Sequence, residues 1–385
     1  MEIYLDNSAT TRPFSEVIAA VEENMRASFY NASAAYKPAV EAEKRMRDVR
    51  ARIARAVGAR EDEVVFTSGG TEGDNLAILG TAQLCRRPMR FLYSAVEHPA
   101  VIQAMERVRE MGHDVEVLPV TPRGVLNLEA AENLLTKDTA LVSVMQVNNE
   151  TGAVQPIGEL RECMTRLCPQ ARLHVDGVQG FLRAPFSVSR LGVDLYTISG
   201  HKIHGPKGVG ALVVRRGTRL APHMLGGGQE NGLRSGTYNT PGIAGLGAAV
   251  ETFMGLEAPQ ARLGEMKRAL AERILEGIPG ARVNGPLPGE ADAAPHILNI
   301  SFPDVRGEVL LHALEAQQIY VSTGSACSSH KQKVSTGLRA MGLTPAQAEG
   351  AIRFSLSPMN TPQEIERAAD AAIAAHAQLK LFRRH

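Results

Sequence analysis

A single cysteine near the end of the chain lies among small polar residues. Cys327 belongs to the segment STGSACSSHK, residues 322–331, which consists mainly of glycine, serine and threonine. A free cysteine is usually a small buried apolar residue, yet this segment offers almost no side chains with which to build a core. Either the thiol falls in a loop by chance, or the loop serves to present it.

A glycine-rich turn leads into a helical pattern after the run EVVFT. The following residues are SGGTEGDN, so that Gly70 and Thr71 stand close to the expected helix start. The first turn of a helix has unpaired N–H groups and the positive end of the helix dipole, and both suit a phosphate. An ordinary helix cap by Ser68 or Thr71 explains the segment equally well.

Single polar side chains stand after three other runs of apolar residues. His98 opens a helix in EHPAV, Asn149 lies in NNETG, and Asp176 ends RLHVD. Gln179 follows Asp176 at three residues. Taken one at a time, these residues have ordinary explanations as surface, turn and capping residues.

The loop after the run DLYTIS carries the densest set of reactive groups. Its sequence, SGHKIHGPKG, places Ser199, His201 and Lys202 in one glycine-rich turn. With the residues after the other runs, the set contains an amine, an isolated carboxylate, an imidazole and a phosphate cradle. Pyridoxal phosphate needs a lysine for its aldehyde, an acid for its ring nitrogen and an anchor for its phosphate. The sequence therefore predicts a site for this cofactor, without a metal ion.

Short aliphatic runs alternate with helical patterns and must position these groups. The runs are EVVFT, RFLYS, DVEVLPV, ALVSVMQV, RLHVD, DLYTIS and GALVV. This alternation predicts an α/β domain with a mostly parallel, seven-stranded sheet covered by helices. Ligands of such sheets bind at the carboxyl ends of the strands, which is where the polar groups stand.

A smaller α+β domain is predicted from the rest of the chain. A helical region at 240–276, interrupted near Pro259, is expected to bridge the two domains. The elements expected beyond it are HILNISF, a helix at 306–317, the loop with Cys327, GAIRFSL and an amphipathic helix at 362–381. We expect residues 15–257 to form the large domain. Residues 1–14 and 258–385 are expected to form the small domain, which carries the cysteine loop at 322–333.

The composition limits the possible partners. The 385 residues include 42 Lys and Arg against 41 Asp and Glu, so the chain has no bulk charge with which to bind nucleic acid or an anionic membrane. Its pattern contains neither a secretory signal nor a membrane span. Four scattered cysteines do not suggest a disulfide framework. We expect a cytoplasmic protein that has reduced thiols and acts on a small substrate.

Nine segments of the chain resemble the cysteine desulfurases of the NifS/IscS type, which are class V aminotransferases with the fold-type I architecture of pyridoxal-phosphate enzymes. They are, in the family's order, YLDNSATT, EVVFTSGGTE, EHPAV, VNNETGAVQPI, HVDGVQ, SGHKIHGPKGVGAL, GGGQENGLRSGT, STGSACSS and IRFSLS. The set is specific, although no single segment is. One departure is Gly177, where the family often has alanine.

The resemblance implies a role for each matching residue. Lys202 would bind the cofactor as a Schiff base, Asp176 would pair with its ring nitrogen, and His98 would stack on the ring and move protons. Gln179 would hydrogen-bond the ring hydroxyl oxygen, and Arg353 would bind the substrate carboxylate through its guanidinium fork. The other implied cofactor contacts are Gly70, Thr71, Asn149 (also near the substrate), Ser199, His201 and, toward the neighbouring subunit's phosphate, Thr237.

The resemblance also implies that Cys327 is the nucleophile. Its thiolate would take the sulfur of L-cysteine, so that L-alanine leaves and a persulfide remains. The implied partners are a second copy of the chain with shared active sites and a sulfur-acceptor protein, for iron–sulfur cluster assembly or tRNA thiolation. Direct contact with nucleic acid or a membrane is not implied.

Two alternatives stay open on the sequence. The chain is another enzyme of the same fold, such as a selenocysteine lyase, a cysteine sulfinate desulfinase or a transaminase, which predicts that Cys327→Ala keeps turnover of the true substrate. Otherwise it is a catalytically idle scaffold that binds partners and lacks the cofactor.

Overall fold

The computed structural model describes residues 2–323 and 335–382 of the chain. Cys327 and most of the predicted cysteine loop lie outside the described residues. The strands are β1 (Ile3–Tyr4), β2 (Val64–Thr67), β3 (Arg90–Ser94), β4 (Asp114–Leu118), β5 (Thr139–Met145), β6 (Arg172–Asp176), β7 (Leu195–Ser199), β8 (Gly210–Val214), β9 (Arg282–Val283), β10 (Ile297–Ser301), β11 (Ile319–Tyr320) and β12 (Ala351–Ser355).

The helices cover both faces of the main sheet and surround the smaller ones. They are α1 (Ser15–Ala27), α2 (Lys37–Val57), α3 (Gly70–Ala82), α4 (Pro99–Glu110), α5 (Leu128–Glu132), α6 (Ile157–Leu167), α7 (Val188–Leu191), α8 (Thr240–Met254), α9 (Pro259–Gly277), α10 (Gly307–Glu315), α11 (Thr336–Ala340), α12 (Pro345–Glu349) and α13 (Pro362–Phe382). In the part of the chain that the structure describes, none of them combines the length and apolar character needed to cross a membrane.

The central sheet has seven strands in the order β2–β8–β7–β6–β5–β3–β4. Strand β8 is antiparallel to both of its neighbours, and the other pairs are parallel. On β5, Leu141 enters one apolar core and Val142 the other, because successive side chains of a strand point to opposite faces. Burial on both faces explains why these strands read as continuous aliphatic runs. The predicted fold class is confirmed.

Two small sheets lie beside the central one. Strands β12, β10 and β9 form an antiparallel sheet, and β1 pairs in parallel with β11. Ile3 and Leu5 join the apolar core that α9, β10, β12 and α13 share. Phe14 instead belongs to a core of the central sheet and stacks on His204, with ring centroids 4.3 Å apart. The predicted domain limits, 15–257 against 1–14 with 258–385, remain a prediction.

Candidate active site

Lys202 lies just beyond the carboxyl end of β7, in a single turn of 3-10 helix formed by Gly200–Lys202. Its Nζ donates to the backbone oxygens of Ser8, at 2.6 Å, and Ala9, at 2.7 Å. The N-terminal segment is held over the sheet edge at this point, because Thr11 N donates to the carbonyl of His201 at 3.0 Å. The lysine amine is therefore positioned by a segment about 190 residues earlier in the chain.

Asp176 ends β6, the strand next to β7, and only 5% of it is exposed. Its Oδ1 accepts a hydrogen bond from Val178 N at 2.9 Å. Burial raises the pKa of this carboxyl to about 7, with Asp74 adding to the rise and His98 opposing it. A buried carboxylate is costly unless a cation or several donors compensate it. A protonated ring nitrogen of the cofactor fits this requirement.

His98 is the N-cap of α4, which begins with Pro99. Its Nδ1 accepts from Ala100 N at 3.2 Å. Burial lowers the pKa of His98, the charge of Asp176 opposes this, and the charge of Lys202 adds to it. A neutral imidazole close to both groups is able to accept a proton.

The predicted phosphate cradle forms where α3 begins. The N-cap of α3 is Gly69, which makes no side-chain capping hydrogen bond, so the alternative of a cap by Ser68 or Thr71 is wrong. A Cβ on Gly70 would lie 2.7 Å from Val178 Cγ2 and 3.7 Å from Ser199 Cβ. Glycine is therefore required where the ends of three loops meet, and the exposed N-terminal turn fits an anion.

Three further predicted cofactor residues lie in the first turn of α3, at the end of β7 and just after it. Ser199 is buried at the end of β7, and Thr71 is exposed in the first turn of α3. His201 Nδ1 lies 3.1 Å from Thr10 Oγ1. Burial is the main cause and the charge of Lys202 the second cause that lowers the pKa of His201 to about 4. This histidine is therefore a neutral hydrogen-bonding group at neutral pH.

Arg353 lies on β12 of the small sheet and contacts the loop that follows β5 of the central sheet. It is 4% exposed, and its Nη1 donates to the backbone oxygen of Asn149 at 3.0 Å. Its Nη2 lies 2.7 Å from Asp6 Oδ1, and its Nε has no hydrogen-bond partner among the described residues. Arg353 also forms an isolated antiparallel bridge with Ser322 through two backbone hydrogen bonds. The segment that carries Cys327 thus starts beside the predicted substrate-binding arginine.

Thr237 is not joined to this group in the described parts of the chain. It is exposed in the loop between β8 and α8, as a residue directed to a neighbouring subunit would be.

Several site residues were not predicted from the sequence: Asp6, Ser8, Asp74 and Arg183. The motif LDNSATT holds the first two, but nothing in its pattern indicates which distant side chains its backbone meets.

The lysine and the buried acid at adjacent strand ends, beside an uncapped helix start, are the arrangement expected of a fold-type I pyridoxal-phosphate enzyme. The model of the family "Aminotransferase class-V" matches residues 3–368. A cysteine desulfurase of Trichormus azollae is 40% identical, over 95% of this chain and 90% of its own length. A cysteine desulfurase IscS of Dictyoglomus turgidum is 38% identical, over 96% of this chain and 93% of its own length.

A solved structure is also similar along the whole chain. A NifS-like protein superposes with a TM-score of 0.89 at 34% identity, covering 97% of this chain and 99% of its own. The chain therefore belongs to the class V aminotransferases, in the group of the NifS/IscS-type cysteine desulfurases. The family is pyridoxal-phosphate dependent, so the predicted family and cofactor are confirmed. The roles of the individual residues remain predictions.

Proposed function

We propose that the chain is a cysteine desulfurase: it takes the sulfur of L-cysteine, releases L-alanine and holds the sulfur as a persulfide on Cys327. The observation that carries this proposal is that Lys202 and Asp176 lie at the ends of adjacent strands, with the lysine amine held by the N-terminal segment. The relatives named cysteine desulfurase support it. The part of Cys327 follows from the family resemblance.

The cofactor, when bound, supplies an electron sink for the charge left on a substrate carbon that loses its proton. Lys202 would hold it through its amine, and Asp176 would keep its ring nitrogen protonated. Its phosphate would lie among Gly70, Thr71, Ser199 and His201. The low pKa of His98 leaves this imidazole neutral and ready to take a proton at neutral pH. Arg353 would bind the carboxylate of the substrate.

A second copy of the chain would complete the site. Four large apolar side chains on α1 and the loop after it are exposed to 52–65%: Ile18, Met25, Phe29 and Tyr36. Exposed apolar patches of this kind are typical of protein interfaces. We expect a homodimer in which Thr237 reaches the partner's phosphate site. A cytoplasmic location and transfer of the persulfide to an acceptor for iron–sulfur cluster assembly or tRNA thiolation belong to the same proposal.

The test is incubation of the purified protein with L-cysteine and a reductant, followed by measurement of sulfide and alanine. Wild type should release both, whereas Cys327→Ala and Lys202→Ala should release neither. The matched controls are Cys85→Ala, a half-buried thiol, and Lys207→Ala, an exposed lysine of the same loop. Both should retain wild-type rates.

The same assay separates the alternatives. Equal sulfide release by wild type and Cys327→Ala would exclude the persulfide mechanism. Turnover of selenocysteine or cysteine sulfinate that survives Cys327→Ala would indicate a lyase or desulfinase. A colourless protein that yields no alanine would indicate a scaffold.

A further inference from the structure

Arg183 is a buried cation without a counter-ion in the described part of the chain. It is 3% exposed. Its Nη2 donates to the backbone oxygen of Val178 at 3.1 Å and to Oε1 of Gln179 at 2.8 Å, while its Nε has no partner among the described residues. Within residues 2–323 and 335–382, no carboxylate oxygen lies within 4.0 Å of its guanidinium nitrogens. Buried charges are normally paired because an unpaired one is costly. A nearby anion would therefore stabilise this arginine.

The titratable groups that face Arg183 do not supply a negative charge at neutral pH. They are Tyr196 on β7, His201 and His204 after it, and His296 before β10. Burial raises the pKa of Tyr196 well above its usual value, lowers the pKa of His201 and His204 to about 4, and lowers that of His296 well below its usual value. All four are neutral. Burial lowers the pKa of Arg183 only to about 9, so it stays charged.

The contact with Arg183 decides which way the Gln179 amide points. A guanidinium has donors only, so the group it meets at 2.8 Å must be the amide oxygen of Gln179. The amide nitrogen then faces the other way, where it donates to the Ser8 carbonyl at 3.0 Å. Lys202 Nζ donates to the same carbonyl at 2.6 Å. The N–H groups of Gln179 are therefore turned toward the lysine that holds the cofactor.

We propose that Arg183 is a positioning residue for the cofactor. It holds the amide of Gln179 with its N–H groups toward the cofactor's phenolic oxygen, and it provides the positive charge that stabilises this oxygen as an anion. It acts through Gln179 and does not itself contact the reacting atoms. The inference rests on the proposed function and on the contact that the family resemblance implies between Gln179 and the ring hydroxyl oxygen of the cofactor, which is this phenolic oxygen.

The test is a pH titration of the cofactor's absorption in the holoenzyme without substrate. A positive charge near the phenolic oxygen stabilises the phenolate and makes protonation of the nitrogen that joins lysine and cofactor less favourable. The charge of Arg183 should therefore lower the pKa of the chromophore. The neutral variant Arg183→Gln, which keeps a donor for the Gln179 oxygen, should therefore raise the pKa of the chromophore by about 1–3 units. Arg183→Lys, which keeps the charge, should shift it by much less. The matched control is Lys267→Met, which removes another buried cation, one that bonds the Ala294 carbonyl at 2.8 Å, and should leave the chromophore pKa unchanged.

Each outcome decides the proposal. An unchanged chromophore pKa in a folded Arg183→Gln would overturn it, as would an equal shift in Lys267→Met. If Arg183→Gln does not fold, Arg183→Lys should shift the pKa less than Gln179→Leu does, and an equal shift would overturn the proposal. Failure of the wild type to bind the cofactor would overturn the proposed function as well. If the wild type binds the cofactor but Arg183→Gln leaves the chromophore pKa unchanged, only the role of Arg183 would be overturned.

Discussion

Arg353 and Asp6 form a largely buried ion pair where the small sheets meet the site. The guanidinium Nη2 lies 2.7 Å from the Asp6 carboxylate, and the two side chains are 5% and 19% exposed. Nη1 is held by the Asn149 carbonyl, and Nε has no partner among the described residues. A substrate carboxylate would thus meet an arginine that these two hydrogen bonds already orient.

Arg353→Gln should raise the KM for L-cysteine by about 10–100-fold, since a hydrogen bond to a charged group contributes about 1.5–3 kcal/mol. Asp6→Asn removes the competing carboxylate and keeps the side-chain volume, so its KM should stay within about threefold of wild type. Steady-state kinetics of both variants check the assignment. A KM that rises equally in the two would show that Arg353 acts by holding Asp6 and not by binding substrate.

Asp176→Asn should lower kcat by about 10²–10⁴-fold, because an amide cannot keep the cofactor's ring nitrogen protonated. Cofactor occupancy, measured from the absorption of the purified protein, should fall much less than kcat. Asp138→Asn changes an exposed carboxylate that pairs with Arg87 on the surface, and it serves as the control with full activity. A kcat for Asp176→Asn close to wild type would contradict the role given to this acid.

The cofactor-free protein should lose stability as the pH rises from about 6.5 to 8. Burial raises the pKa of Asp74 from 3.8 to about 8, with a hydrogen bond from Thr197 opposing the shift. Between these two values the unfolded chain has released the proton and the folded chain still holds it, so the free energy of unfolding falls by up to about 1.4 kcal/mol per pH unit. This contribution is complete below the lower pKa and lost above the higher one.

Above pH 6.5 the pH dependence of stability reflects the buried acids and not His174, because this histidine is neutral there in both the folded and the unfolded chain. Burial lowers the pKa of His174 from 6.5 to about 4, which makes stability rise with pH between those values and masks the effect of Asp74 there. Urea unfolding of Asp74→Asn should give a shallower loss from pH 6.5 upward than wild type; Asp176, with its pKa of about 7, still contributes. Identical pH profiles would refute the buried protonated state of Asp74.

Gly177→Ala should destabilise the protein by about 1–3 kcal/mol, the usual cost of overpacking a core. A Cβ at this position would lie 2.1 Å from Cζ of Tyr196, whose ring is fully buried and stacks on Phe186. The alanine that the family often has would clash with this tyrosine here.

A double-mutant cycle in urea checks this packing. Tyr196→Leu makes room for the methyl group but loses the hydrogen bond of the tyrosine hydroxyl to Gln146 at 2.7 Å. Gly177→Ala should therefore cost much less in the Tyr196→Leu background than in wild type. Equal costs in the two backgrounds would show that the ring of Tyr196 yields to the methyl group.

The positions of the strands and of the reactive groups after them were predictable, because strands buried on both faces have continuous aliphatic sequences. The run RFLYS is β3, RLHVD is β6 and GALVV is β8, each with the same limits in the structure. The two-residue strands β9 and β11 were not predicted, since so short a segment has no detectable period. The sequence predicts the start of α3 close to its position in the structure, but it does not decide whether the side chain of Ser68 or Thr71 caps this helix.

Arg183 shows why part of the site could not be predicted. Its segment, GFLRAPF, has no periodic pattern, and an arginine in such a segment is normally exposed. Its burial depends on β7, on the loop before β10 and on Gln179, which arrive from different parts of the chain.

The sequence by itself determined the family, the cofactor and the residue types at each strand end, because these depend on local pattern and on motifs in a given order. Only the tertiary structure decided what those residues meet: Lys202 with the Ser8 carbonyl, Arg353 with Asp6, and Gln179 with Arg183. The first two contacts join residues 194 and 347 positions apart. Such pairs are set by how the N-terminal segment returns across the sheet edge, and a local pattern carries no information about a partner brought in by that return.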